Sequence, residues 1–164
     1  MAAGLSMWRR SMLGLAALCV VAVGAALLAQ YAFDMQPCPW CILQRLIYLV
    51  LALTCLVAAL LDSRGGRRMV GGLAFVLAGC GAASAIWQHV VAAKQFSCNL
   101  TLADTIITAL RLESLAPTLF QVTASCADAA VSVFGVPFEY WSLLLFALIA
   151  ATLARLTLTS LTPA

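Results

Sequence analysis

Charge is what this sequence has least of. Only 9% of its 164 residues are Asp, Glu, Lys or Arg, against roughly 25% in soluble domains. Apolar side chains make up 65%, and the mean hydropathy is +1.07. A water-soluble globule is excluded, and so is a disordered chain, which lacks the apolar surface that this one has in excess. Period-2 alternation is missing, which argues against a transmembrane β-barrel. No internal repeat and no low-complexity tract is present. The net charge of +3 is too small to imply a nucleic-acid partner. The length leaves room for one domain, residues 1–164.

The few charges divide the chain. None lies between Arg10 and Asp34, between Arg45 and Asp62, or between Arg68 and Lys94, and the run Tyr140–Ala154 is also uncharged. These runs predict an all-α membrane protein, a four-helix bundle with spans near 12–32, 41–61, 69–92 and 138–157. Each is long enough to cross a hydrocarbon core of about 30 Å. Arg9 and Arg10 ahead of the first run resemble a signal peptide, but the uncut length of that run and three further spans favour an anchor.

Basic residues set the orientation. Arg9, Arg10, Arg64, Arg67, Arg68 and Arg155 fall on one side, and only Arg45, Lys94 and Arg111 on the other. This bias predicts both termini in the cytoplasm. Two segments are then external, a short link near 33–40 and a longer stretch near 94–137. Within the second, Leu102, Ile106 and Leu110 recur at helical spacing. They suit either an amphipathic helix resting on the membrane surface or an ordinary packed loop helix.

Seven cysteines are the compositional oddity. Cys19, Cys55 and Cys80 lie inside spans and read as small buried hydrophobes with inert thiols. Cys38, Cys41, Cys98 and Cys126 all fall on the outer side, where an even number points to disulfides. Cys38-Pro39-Trp40-Cys41 opens the second span, with Pro39 in the first helical turn, where a missing N–H is tolerated. Cys41 then sits near a helix N-terminus, whose partial positive charge favours a thiolate. Zinc needs four ligands; Cys98 and Cys126 stand 28 residues apart and His89 is alone, so no metal is expected. A static structural disulfide is the other reading, yet a C-x-x-C ring at a helix end is a strained place for a clamp.

Arg45 follows Cys41 by four residues and shares its helix face. It lies ~6 Å deeper along the axis. A buried arginine is costly there. It is either a snorkelling anchor or a fixed cation for a thiolate or for the carbonyl oxygen of a bound electron acceptor. Cys41 on the same face favours the second role.

Taken together, the four spans, the block Cys38-Pro39-Trp40-Cys41-Ile42-Leu43-Gln44-Arg45 and the cysteine pair in the second outer loop resemble the disulfide-bond formation protein B (DsbB) family. Gln88-His89, Cys126-Ala127 and Gly135-Val136-Pro137 leading to Trp141 add to the resemblance, which covers nearly the whole chain. It implies a protein-dithiol:quinone oxidoreductase in the bacterial inner membrane, with its redox loops facing the periplasm. Such an enzyme reoxidises a DsbA-like soluble thiol oxidase and passes the electrons to membrane quinone, ubiquinone or menaquinone. In this picture Cys98 forms the mixed disulfide with the partner and Cys126 is its companion. Electrons reach Cys38 through a transient Cys38–Cys98 bridge, and Cys41 is left as thiolate against the quinone. The resemblance places Arg45 near the quinone ring and His89 near the same pocket, although an interfacial histidine bonded to backbone or water suits His89 as well. Trp40 fits an interfacial anchor somewhat better than a stacking surface.

Two rivals follow from the same residues. A non-enzymatic tetraspan protein with two bracing disulfides leaves Arg45 without a task. A vitamin K epoxide reductase-like quinone reductase carries its reactive C-x-x-C on a late span, where this chain has none.

Overall fold

The computed structural model describes residues 2–94 and 101–159. The apolar runs form four long helices, α1 (Ala2–Ala32), α2 (Pro39–Leu60), α3 (Arg64–Val90) and a last one, Phe138–Thr159. Between α3 and that last helix, three short helices follow: α4 (Leu102–Ala109), α5 (Leu112–Leu115) and α6 (Pro117–Phe120). The last long helix is therefore α7. All four long helices are apolar enough to span a membrane. The most enclosed is α2, with 56% of its spanning window buried against 17–33% in the others, so α2 is the central element.

The helices begin earlier than the charge-free runs. α1 extends back to Ala2 because its first turns pack on the neighbouring helix ends. The Trp8 indole donates to Ala58 O at 3.0 Å, the Arg67 guanidinium lies 5.8 Å over the Trp8 ring, and Arg9 pairs with Asp62 at 2.8 Å. α3 starts at Arg64, capped by Ser63, whose hydroxyl accepts from Gly66 N. Basic residues thus lie within the end turns of these helices rather than interrupting them.

In the middle of the bundle, Tyr48 of α2 stacks on Phe146 of α7 at 4.1 Å, and its hydroxyl donates to Ser142 O at 3.2 Å. Gly81 of α3 faces the same ring. A Cβ there would fall 2.3 Å from Phe146 Cε1, so only glycine allows α3 and α7 this close approach. Cys19 and Cys55 are fully buried in this core, as expected. Cys80 is not: it lies on an exposed face of α3, because the small residues of α3 that pack inward are Gly71, Ala74, Ala78, Gly81 and Ala85, a stripe that leaves position 80 outside. Large apolar side chains such as Val21, Leu53, Leu73 and Leu148 are also exposed, a surface suited to lipid.

At the opposite end from Trp8, the second loop folds over the start of α2. Thr101 and Asp104 form a capping box that begins α4, and one face of α4 packs down. Ala103 joins Trp40, Leu43 and Cys126, while Ile107 joins Ile42 and Phe120. Leu102 and Leu110 remain exposed, so α4 is a packed loop helix that also presents apolar side chains outward. Before α7, Ser132–Val133 pairs with Val136–Pro137 in a two-stranded hairpin. Its turn residues, Phe134 and Gly135, both have positive φ, the geometry of a tight hairpin turn.

Candidate active site

Local sequence sets the position of the first cysteine pair. Pro39 occupies the first helical turn and Cys38 is the N-cap in extended conformation; the Cys38 carbonyl accepts the first helical bond, from Ile42 N at 3.1 Å. Cys41 is therefore the third residue of α2, and its sulfur lies 3.1 Å from Cys38 Sγ. The second loop is strapped to the first beside this pair, with Thr123 N and Ala124 N both donating to Pro37 O, at 3.1 and 3.3 Å. That strap brings Cys126 against Cys38, and the two side chains hydrogen-bond. Cys38 is completely buried and Cys126 is 8% exposed.

Cys38 thus lies between two other sulfurs. Its hydrogen bonds to Cys126 and Cys41, with burial behind them, hold it well above the ordinary thiol range, as a protonated donor. The bond from Cys38 pulls Cys126 below that range, helped by the Trp40 backbone and opposed by burial. Of the two, Cys126 is the more readily deprotonated. Cys98 lies outside the described residues.

Arg45, one turn below Cys41, is 5% exposed. Nη1 donates to Gln30 Oε1 of α1 at 2.7 Å and to Leu119 O at 3.1 Å, and Nη2 donates to Ala26 O at 3.4 Å. Its buried Nε has no hydrogen-bond partner among the described residues. Arg45 and half-buried Cys41 line an open cleft with apolar walls that include Ala26, Ala29, Val131 and Phe138. A planar apolar ring with carbonyl oxygens matches this lining. It finds apolar walls, a thiol and a guanidinium, so the residues present fit a quinone.

His89 is placed differently from the other site residues. Its Nδ1 lies 2.7 Å from Glu139 Oε1, its ring packs 4.6 Å from Tyr140, and it is not among the residues that line the cleft. The pair joins α3 to α7. Its neighbour Gln88 is the residue of that helix that reaches the cysteines, donating from Nε2 to Cys41 Sγ at 3.3 Å. Sequence reasoning overlooked the buried amide of Gln30 and gave no role to those of Gln44 and Gln88. The available signal was a neutral polar side chain inside an uncharged run, near one end of it. Trp40 is 7% exposed and lies against Trp87, with centroids 6.3 Å apart. It roofs the sulfur cluster instead of anchoring the helix at an interface. The Trp141 indole donates to Val133 O at 3.4 Å, tying the hairpin to α7.

Comparison with known proteins agrees with this architecture. The family model described as disulfide bond formation protein DsbB matches residues 8–156. Disulfide bond formation protein B 1 of Pseudomonas aeruginosa is 32% identical over 132 residues, covering 78% of this chain and 81% of that protein. Disulfide bond formation protein B of Pseudomonas syringae pv. tomato is 33% identical over 144 residues, 87% and 85% of the two chains. The Burkholderia pseudomallei protein of the same name is 29% identical over 147 residues, 89% and 87%. No solved structure matches the chain. With four membrane-compatible helices and a cysteine cluster at one end of the bundle, the chain belongs to the DsbB family of disulfide bond formation proteins.

Proposed function

We propose that this protein is a protein-dithiol:quinone oxidoreductase of the bacterial inner membrane, which reoxidises a DsbA-like soluble oxidase in the periplasm and delivers the electrons to membrane quinone. The observation that carries the reading is the row of sulfurs Cys126, Cys38 and Cys41, which ends at a cleft shared with Arg45. The basic bias of the opposite end supports a cytoplasmic position for both termini and a periplasmic one for the sulfurs.

Thiol–disulfide exchange moves oxidising equivalents without creating them. A DsbA-type partner sits near about −120 mV, and each 30 mV uphill costs about 1.4 kcal/mol. A membrane quinone supplies a two-electron acceptor of higher potential, whether ubiquinone or menaquinone. Cys41 lines the cleft beside largely apolar walls. Arg45, a lining residue of the same cleft, supplies a fixed positive charge for an oxygen that gains charge. Cys38, buried between its neighbours, exchanges one sulfur partner for the other over a short distance.

Among the described residues Cys126 lies beside Cys38, which supports a bridge between the loops at Cys38 and Cys126 as an alternative to the expected Cys38–Cys98 bridge, with Cys98 then engaging the soluble partner. In a Cys41→Ser background, peptide mapping without reductant should recover a Cys38–Cys126 disulfide; recovery of Cys38–Cys98 alone would restore the earlier order.

The central test starts from purified protein with its outer cysteines reduced. Added quinone should be consumed and the disulfides should return. Cys98→Ser should stop oxidation of the soluble partner while quinone binding stays intact. If the reduced protein never passes electrons to quinone, the non-enzymatic reading is correct.

A further inference from the structure

Two glutamines from different helices meet beside the cysteine pair. Gln44 of α2 and Gln88 of α3 are each 5% exposed, inside spanning segments, where an amide left unpaired is costly. Gln44 Nε2 donates to Gln88 Oε1 at 2.7 Å. With its oxygen so occupied, Gln88 directs its amide nitrogen to Cys41 Sγ at 3.3 Å. Arg45 makes no such bond: its hydrogen bonds go to Gln30, Leu119 and Ala26. Among the described side chains, Cys38 and Gln88 are the ones that hydrogen-bond the Cys41 sulfur.

We infer that Gln88 is a catalytic residue that donates its amide N–H to the Cys41 sulfur, and that Gln44 is the positioning residue that fixes the direction of that amide. The inference rests on the reading of Cys41 as the sulfur released when the Cys38–Cys41 disulfide is opened. In that step a thiolate attacks Cys38 Sγ. A new S–S bond forms at Cys38, the Cys38–Cys41 bond breaks, and its electron pair moves onto Cys41 Sγ. No proton is needed and no further oxidant is consumed. Cys38 can no longer donate to Cys41 once it is bridged elsewhere, so the Gln88 amide is the neutral donor that stays. A fixed dipole aimed where charge arrives needs no reorganisation during the step. The hydrogen bond from Gln44 polarises the Gln88 amide and strengthens its donation.

The test needs neither quinone nor partner. The full chain is reduced in detergent, desalted and treated with iodoacetamide over a range of pH, and alkylation at Cys41 is followed by mass spectrometry. Gln88→Met should move the Cys41 alkylation profile to higher pH by about one unit, slowing alkylation about tenfold on the low-pH limb. Gln88→Asn retains an amide but is one methylene too short to reach the sulfur, and should shift the profile in the same direction. Gln44→Met should shift it less, and should add nothing once Gln88 is already Met, as expected of a residue that acts through another. The other ionisable neighbours of Cys41, namely Cys38, Cys126 and Arg45, are the same in every variant. Unshifted profiles for both Gln88 variants would overturn the assignment. An equal shift from Gln44→Met with and without Gln88 would remove Gln44 from the relay. If the profiles shift in a protein that never reduces quinone, the proposed function falls and the amide relay stands.

Discussion

Replacing Cys41 with serine is expected to reduce dithiol-driven quinone reduction by about four orders of magnitude or more, the scale on which loss of a covalent nucleophile is felt. Cys41 is the one described cysteine that lines the cleft. Cys38 is fully buried and Cys126 nearly so, so neither can substitute for it there. Serine preserves the size of the side chain and a contact with Cys38, and the effect on folding should be under about 1.5 kcal/mol, the net worth of one hydrogen bond. Quinone absorbance in detergent, followed beside the thermal unfolding of the same sample, separates the two effects. Turnover comparable to that of the parent would assign the terminal sulfur elsewhere.

The second large effect is expected at Arg45. Arg45→Ala removes the only cation among the described residues that line the cleft and should lower quinone turnover by about 10²–10³-fold, as does loss of one preorganised donor to a developing oxyanion. The apparent KM for quinone should rise as well. The same change strands the acceptors Gln30 Oε1 and Leu119 O, a cost to stability of about 1–3 kcal/mol. Arg45→Lys keeps the charge but loses the planar fork, and should fall between the parent and Ala. The diagnostic comparison is a single turnover. A preformed disulfide should still oxidise one equivalent of soluble dithiol at nearly the parental rate, because Arg45 makes no bond to Cys38 or Cys126. If only stability changes and quinone kinetics do not, Arg45 is a depth-setting anchor.

Much of this architecture can be read from the chain. The uncharged runs locate all four spans, since a charge in hydrocarbon is too costly to be placed casually. Their ends are less legible. Trp8, Arg9 and Ser63 extend α1 and α3 through contacts with distant residues, and such contacts have no local signature. The block Cys38–Arg45 gives both the helix start and the reactive face, because proline chemistry and the four-residue spacing are local facts. The placing of Cys126 beside Cys38 is not legible. It depends on the strap from Thr123 and Ala124 to Pro37 O, made across more than eighty residues. The roles of Gln88 and His89 were likewise hidden. Adjacent helix residues point about 100° apart, and only packing decides which one meets α2 and which one meets Glu139.

A practical consequence follows from where the amides come from. Gln30 belongs to α1 and Gln88 to α3, yet both end on side chains of the first two turns of α2. Grafting the octapeptide Cys38–Arg45 onto another hairpin would transplant the sulfurs and the guanidinium without the groups that aim them. A homologue hunt, or a designer, should therefore score one hydrogen-bonding side chain on each flanking helix together with the short motif, because a chain holding the eight residues alone would have the reagents without the workbench.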